Sequence, residues 1–181
     1  LSDPPVVWGG TGTAPGQFDG LGGIAIDGPH LFACDRRNHR VQKLLLDGTP
    51  VTSFGTFGND PGELGQPVAV TVDRAGHVYV ADYENHKVQK YTTDGTFVTE
   101  WGALGSGPGE FVRPVGISAD GDGGVFVADY DRIQKFTNTG VFSMSWVVFF
   151  DSWYGPQDVT ADGQGGIYVV TGYDLIKYRE V

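Results

Sequence analysis

The histidines are the first candidates for metal chemistry in this chain. They form two equivalent pairs at a spacing of about 45 residues, His30 with His77 and His39 with His86. A zinc site needs three or four ligands that converge at about 2 Å. Each pair supplies two ligands from successive repeats, so we expect no histidine metal site and no cofactor.

Acidic residues recur with the same period. One set ends an apolar run in all four repeats, and a second set follows the next run in three of them: Asp27, Asp73, Asp120 and Asp162, then Asp35, Asp82 and Asp129. An acid that recurs in every repeat is typical of a turn acceptor rather than a catalyst. The exception is Gln157-Asp158, which stands where the other repeats have Gly22-Gly23, Val68-Ala69 and Val115-Gly116. A lone carboxylate without a paired acid, base or nucleophile does not predict an active site.

An aromatic segment precedes that dipeptide. Residues 147–154 read Val-Val-Phe-Phe-Asp-Ser-Trp-Tyr. Trp153 aligns with Phe18, Leu64 and Phe111, which predicts packing between repeats. The other aromatic residues have no equivalents, so they either fill gaps or form an exposed patch that contacts a ligand. Our hypothesis for a binding site is Phe149, Phe150, Trp153, Tyr154, Gln157 and Asp158.

The elements that position these residues recur four times. In the second repeat the predicted strands span 68–72, 78–81, 88–91 and 97–101, with Asp94-Gly95 as the turn between the last two. Short strands at this period indicate a propeller. The sequence therefore predicts an all-β fold, a β-propeller of four four-stranded antiparallel blades in one domain over residues 1–181. The predicted blades are about 22–54, 68–101, 115–146 and 157–178 plus 5–9.

The two ends of the chain have complementary patterns. Residues 5–9 match the outer strand at 98–102, whereas the last repeat ends with its third strand at 175–178. We expect the N-terminal strand to close the last blade and to pair its free edge. Because residue 1 is Leu rather than Met, we expect the chain to be a processed product or an excised segment.

The repeated motifs resemble the NHL repeat. They are Pro-Gly-Glu-Phe, Pro-x-Gly-Ile, Val-Tyr-Val-Ala-Asp and the triplets Asn38-His39-Arg40 and Asn85-His86-Lys87. The resemblance implies a propeller, typically of six blades, so four repeats form either an unusual ring or part of a larger one. Some NHL-like propellers are enzymes, such as peptidyl-amidating lyases, which use a metal near the channel axis. The alternative function is therefore a lyase or hydrolase with a metal at the channel mouth.

Composition and architecture limit the classes of molecule that the chain is expected to bind. The net charge of −10 argues against nucleic acid, and no apolar run is long enough to span a membrane. In propellers, the links between blades share one face with the loops between second and third strands. That face is the usual binding site, and here it carries Arg36, Arg37, Tyr83, Tyr130 and Tyr173. We favour a non-enzymatic module that binds a protein, peptide or glycan there. A purely structural ring is a third possibility, and we favour a monomer in an extracellular or periplasmic setting.

Overall fold

The computed structural model describes residues 5–148 and 155–179, and the fold in these ranges is built from strands. Fifteen strands are found there, together with a 3-10 turn at Arg36–Asn38. Blade 1 contains β1 (Leu21–Asp27), β2 (His30–Asp35), β3 (Arg40–Leu45) and β4 (Pro50–Phe54). Blade 2 contains β5 (Pro67–Val72), β6 (His77–Asp82), β7 (Lys87–Thr92) and β8 (Phe97–Trp101). Blade 3 contains β9 (Gly116–Ala119), β10 (Gly124–Asp129), β11 (Arg132–Thr137) and β12 (Phe142–Val147). Blade 4 contains β13 (Asp158–Ala161), β14 (Gly166–Val170) and β15 (Leu175–Arg179).

Each blade is an antiparallel meander whose strands pair in chain order. The register repeats from blade to blade: Val78 is opposite Tyr91 in blade 2, and Val125 is opposite Phe136 in blade 3. The Asp94-Gly95 turn forms as predicted, with Gly95 at a φ of 89°. The prediction of an all-β, four-bladed propeller is confirmed.

The core lies between consecutive blades, in three layers. Phe32 of blade 1 packs with Val80 of blade 2, Tyr79 of blade 2 packs with Phe136 of blade 3, and a third layer joins blade 3 to blade 4. Cys34 belongs to the first layer and is fully buried, which raises the pKa of its thiol far above the usual range. Its thiol is therefore an inert packing group.

The inner strands β1, β5, β9 and β13 surround a common cavity, and each contacts the next in that order. β13 and β1, both within the described residues, form no comparable contact. No helix long and apolar enough to cross a bilayer occurs in the part of the chain that the structure describes.

The predicted closure by residues 5–9 is not formed in this structure. Residues 5–10 are exposed and in no strand, and the described part of blade 4 has three strands. The physical reason is that the first and last blades do not pack on each other, so residues 5–9 lie beside blade 1 instead. There the Trp8 ring covers Gly48, as Phe54 covers Gly95 and Trp101 covers Gly140 one and two blades later.

Candidate binding face at the channel mouth

The links between blades and the loops between second and third strands share one face, which we call the loop face. Arg37 N–H donates to the Asp19 carbonyl over 3.0 Å, and Tyr83 N–H donates to the Gln66 carbonyl over 3.0 Å. These bonds join each of the two links to the loop of the blade that it enters. The predicted placement of the Arg36-Arg37 pair and of Tyr83 on this face follows from them.

A buried aspartate anchors each of the first three loops. Asp82 is fully buried and accepts hydrogen bonds of 2.9 Å from the N–H groups of Gly65 and Gln66. Asn85 Nδ2 donates to the same carboxylate over 2.8 Å and to the Gly58 carbonyl over 2.8 Å. The first residue of the Asn-His triplet is therefore a structural tie between link and loop, and the aspartate is the turn acceptor that its recurrence predicts.

The fourth blade replaces this anchor with a hydroxyl. Thr171 stands where the other blades have aspartate, and it is buried. Its Oγ1 accepts a hydrogen bond of 3.0 Å from Asp174 N–H and so closes the 171–174 loop on itself. This loop has lost the carboxylate that binds the incoming link in the other blades.

The loop-face histidines His39 and His86 each tie the loop of their own blade to the link that leads into the next blade. His39 and His86 both have left-handed backbones, with φ of 55° and 56°. His39 Nδ1 lies 2.5 Å from the Gly65 carbonyl oxygen, so this nitrogen must carry the proton and donate it. His86 Nδ1 instead accepts a hydrogen bond of 3.0 Å from Arg113 N–H, so its proton lies on Nε2. The two equivalent rings are held in opposite tautomers by backbone groups of the next link.

The described residues offer no preformed metal centre. No three His, Cys, Asp or Glu side chains in the described ranges are grouped closely enough to hold an ion. On the opposite face, His77 Nδ1 lies 3.1 Å from Asp73 Oδ2, which also accepts a hydrogen bond of 2.8 Å from the Tyr79 hydroxyl. The absence of a metal and of a cofactor stays a prediction.

The cavity between the inner strands has a volume of about 540 Å³. Its walls combine isoleucine and valine side chains of the four inner strands with glycine and with the hydroxyl groups of Thr71, Ser118 and Thr160. A Cβ at Gly116 would overlap the Asp158 backbone, so glycine is needed for β9 and β13 to approach there. The glycines and the short hydroxyl side chains leave the channel open to a ligand group.

Asp158 is the carboxylate of this cavity among the described residues. It lies at the start of β13, and its Oδ1 accepts a hydrogen bond of 2.8 Å from Val159 N–H. Desolvation by the surrounding strands raises the pKa of the Asp158 carboxyl, and the Val159 N–H partly offsets that rise. Gln157 adjoins it with an exposed side chain, while its own N–H donates to the Val170 carbonyl over 2.7 Å.

The four aromatic residues of the predicted site, Phe149, Phe150, Trp153 and Tyr154, lie outside the described residues. Val148, which precedes them, is buried in the core between blades 3 and 4, and Pro156, which follows, is also buried. Whether the aromatic side chains pack or form a patch therefore stays a prediction.

Comparison with known proteins finds a family match for the second repeat. The family model of the NHL repeat matches residues 64–91, which run from the end of the second link through β7. All four blades repeat its strand order, and blades 1 and 3 also repeat the hydrogen bonds of its buried aspartate. This chain contains an NHL repeat within a four-bladed β-propeller. No curated protein matches the sequence.

Solved structures share the fold of this NHL-repeat propeller at low identity. A structure of the nidogen/laminin complex superposes with a TM-score of 0.67 and 19% identity, over 90% of this chain and 60% of that one. A gluconolactonase from Xanthomonas campestris gives 0.66 and 15%, over 88% and 58%. A catalytically inactive virginiamycin B lyase from Staphylococcus aureus with quinupristin gives 0.61 and 17%, over 88% and 55%. The chain spans less than two thirds of the length of each of these structures.

The loop face also carries two exposed tyrosines. Tyr130 and Tyr173 have 68% and 78% of their surface exposed. Tyr83, by contrast, lies under the Arg113 guanidinium at 5.3 Å. Arg37 forms an exposed ion pair of 3.3 Å with Asp19. The sequence shows a tyrosine in each of these three loops. Which tyrosine is covered depends on the link beside it, as Arg113 covers Tyr83.

Proposed function

We propose that this NHL-repeat propeller is a non-enzymatic interaction module that binds a protein, peptide or glycan on its loop face, around the channel mouth. One observation carries the proposal. The titratable side chains that recur on the loop face already bind backbone groups of the links. Asp82 binds the link that enters its own blade, and His39 and His86 bind the next link. The side chains that remain exposed, Tyr130 and Tyr173, offer contact area and hydroxyl groups rather than acid–base pairs.

The channel supports recognition more than catalysis. Asp158 faces a cavity whose lining combines isoleucine and valine side chains with glycine and the hydroxyl groups of Ser118 and Thr160, and no second acid or base lines that cavity within the described ranges. General acid–base catalysis needs a positioned partner for each proton transfer. A carboxylate among hydroxyl groups suits hydrogen bonding to a ligand, such as an amide or a sugar hydroxyl.

The alternative is an NHL-like lyase or hydrolase with a metal at the channel mouth. The observation that favours it is the raised pKa of Asp158 inside a cavity of about 540 Å³, since perturbed carboxyl groups cluster at functional sites. A lyase and a gluconolactonase are among the proteins of similar fold, as is a protein complex. Such likeness concerns the fold and leaves the activity to the site itself.

A ligand selection distinguishes the binding module from the metal-dependent enzyme. The intact 181-residue chain is incubated with an immobilised peptide library and a glycan array, and the metal content of the purified protein is measured alongside. The proposal expects reproducible ligands whose retention does not change when a chelator is added. Stoichiometric zinc or calcium, with ligands that are cleaved during incubation, would support the enzyme instead.

A further inference from the structure

Two arginines of the loop face differ from the arginines that hold the loops together. Arg40 forms an ion pair of 2.8 Å with the buried Asp35, which ties the loop of blade 1 to its own strands. Arg36, in that same loop, and Arg113, in the link that leads into blade 3, form no ion pair with an acid among the described residues. In a protein of net charge −10, these two arginines are a local excess of positive charge.

A chain of contacts across the loop face connects the two arginines. Arg36 Nη2 donates to the side-chain oxygen of Gln66 over 3.2 Å. The Gln66 carbonyl accepts a hydrogen bond of 3.0 Å from Tyr83 N–H. The Arg113 guanidinium lies over the Tyr83 ring, 5.3 Å from its centroid. The order is therefore Arg36, Gln66, Tyr83 and Arg113, and we call these four residues the arginine row.

The backbone at Arg113 supports a role for its side chain beyond folding. Arg113 has a φ of 60°, in the left-handed region that favours glycine. The equivalent residue of the first link is Gly20, which lies two residues after Phe18 as Arg113 lies two residues after Phe111, and its φ is 70°. His86 Nδ1 holds the strained arginine in place by accepting its N–H over 3.0 Å. Strained positions of this kind cluster at ligand-binding sites.

Both guanidinium groups keep N–H donors for a ligand. An arginine carries five N–H donors in a planar fork that matches the two oxygens of a carboxylate. Gln66 receives one donor from Arg36, and no group of the described residues accepts a hydrogen bond from the Arg113 guanidinium. Stacking on Tyr83 fixes the plane of the Arg113 guanidinium and leaves its N–H edge open. The arginine row can therefore bind two carboxylates.

The surroundings of the row favour a short acidic segment over a long polyanion. Glu84 follows Tyr83 in its loop, and Asp131 follows Tyr130 in the next loop, and both acids are exposed. A nucleic acid or a sulfated glycan carries charge at every unit and would meet these carboxylates. A peptide can place two carboxylates on the arginines and neutral groups beside the acids.

We propose that the arginine row binds two carboxylates of an acidic peptide segment in a protein partner. This inference rests on the proposed function and deepens it, because it names the class of partner that the loop face takes. It also assigns the specificity to two arginines of successive blades, whereas the exposed tyrosines supply contact area.

Two libraries of fluorescent octapeptides test this inference on the 181-residue chain. Peptides of the first library contain two acidic residues at every spacing, and the second library has Asn and Gln in place of Asp and Glu. The chain should retain peptides of the acidic library and none of the amide library. Raising the salt concentration about tenfold should weaken the retained peptides, because exposed ion pairs are screened by salt.

Arginine variants then locate the site for the tightest acidic octapeptide. Arg36→Ala and Arg113→Gly should each raise its Kd about 10- to 100-fold, since each removes hydrogen bonds to a charged group. Arg113→Gly introduces the residue that the first link carries at this position, so the fold should be retained. Arg74→Ala is the matched control. It removes the same charge from an exposed arginine in the turn between β5 and β6, on the opposite face, and should leave the Kd unchanged.

Unchanged affinity in both arginine-row variants overturns the inference, and so does a loss of equal size in Arg74→Ala. Ligands drawn equally from the two libraries overturn it while the proposed function stands. Preferential retention of heparin or of RNA, measured alongside the peptides, also overturns it. If neither library yields a ligand the inference fails, and a glycan array that yields none either would remove the proposed function with it.

Discussion

Gln89 in the third strand of blade 2 accepts a hydrogen bond of 3.0 Å from the backbone N–H of Gly62 in the incoming link. Its Nε2 also donates to the Glu63 carbonyl, so one fully buried amide satisfies two backbone groups of the link turn. Gln42 and Gln134 hold Gly16 and Gly109 in the same way over 2.9 Å. The strands of each blade thereby fix the shape of the loop face.

We expect Gln89→Ala to destabilise the propeller. The change leaves the half-buried Gly62 N–H and Glu63 carbonyl and the buried Tyr91 hydroxyl without this partner. A fully buried group costs about 1–3 kcal/mol, and a half-buried group costs less. The free energy of unfolding in urea should fall by about 2–4 kcal/mol. Gln164→Ala removes an exposed side chain of the same type and should leave it unchanged. Equal effects of the two substitutions would mean that the link turn does not depend on Gln89.

The turn glycines under the outer-strand aromatic rings give a second prediction. Gly95 has a φ of 89°, and a Cβ there would lie 2.7 Å from the Phe54 ring. Gly28 has a φ of 53° and no atom within 4 Å of a Cβ. Gly28→Ala should cost about 1–2 kcal/mol from the left-handed backbone alone. Gly95→Ala should cost about 1–3 kcal/mol more, because the Phe54 ring must move. Thermal unfolding of both variants measures the difference, and similar melting temperatures would show that the ring is not held there.

The fold was largely predictable because it depends on a repeated local pattern. The runs that end at Asp73 and Asp82 predicted β5 and β6 to within a residue. The exposure of Ile24 was not predictable, because Ile24 and its buried equivalent Val70 have the same residue class and the same sequence neighbourhood. Their exposure differs only through which blade lies in front of them. The role of Gln89 was present in the sequence as a recurring Gln-Lys pair, but a polar residue in a repeat does not reveal which backbone groups it binds.

Asp158 as a whole is solvent-exposed, although the strands around it partly desolvate its carboxyl, so its charge should oppose folding only weakly at neutral pH. Its folded-state pKa is raised by desolvation, above the value of about 3.9 in an unfolded chain. Its contribution to stability is therefore fully present below the unfolded pKa and is lost as pH rises through the folded pKa. Asp158→Asn should raise the urea midpoint at pH 7 and leave it unchanged at pH 3. An Asn variant that is less stable than wild type at pH 7 would contradict this, and would indicate that the charged form has a partner.

The predicted aromatic patch is tested by a Phe149→Ala, Phe150→Ala double variant. If the two rings contact a ligand, binding should fall while the melting temperature is retained. If they pack in the core, each loss costs about 3–5 kcal/mol and the melting temperature should collapse. Thermal unfolding and ligand binding, measured on the same preparation, distinguish the two results, and the second would remove these residues from the site.

The most direct test of the central claim, recognition without catalysis on the loop face, is the dissociation constant of a peptide or glycan selected from the libraries. Isothermal titration compares wild type with a Tyr130→Ala, Tyr173→Ala variant and with Met144→Ala, which removes a side chain 40% exposed on the outer strand of blade 3. The account predicts binding at least about tenfold weaker for the tyrosine variant, unchanged binding for Met144→Ala, and ligand recovered intact. Equal affinity in all three proteins, or chemical conversion of the ligand, would contradict it.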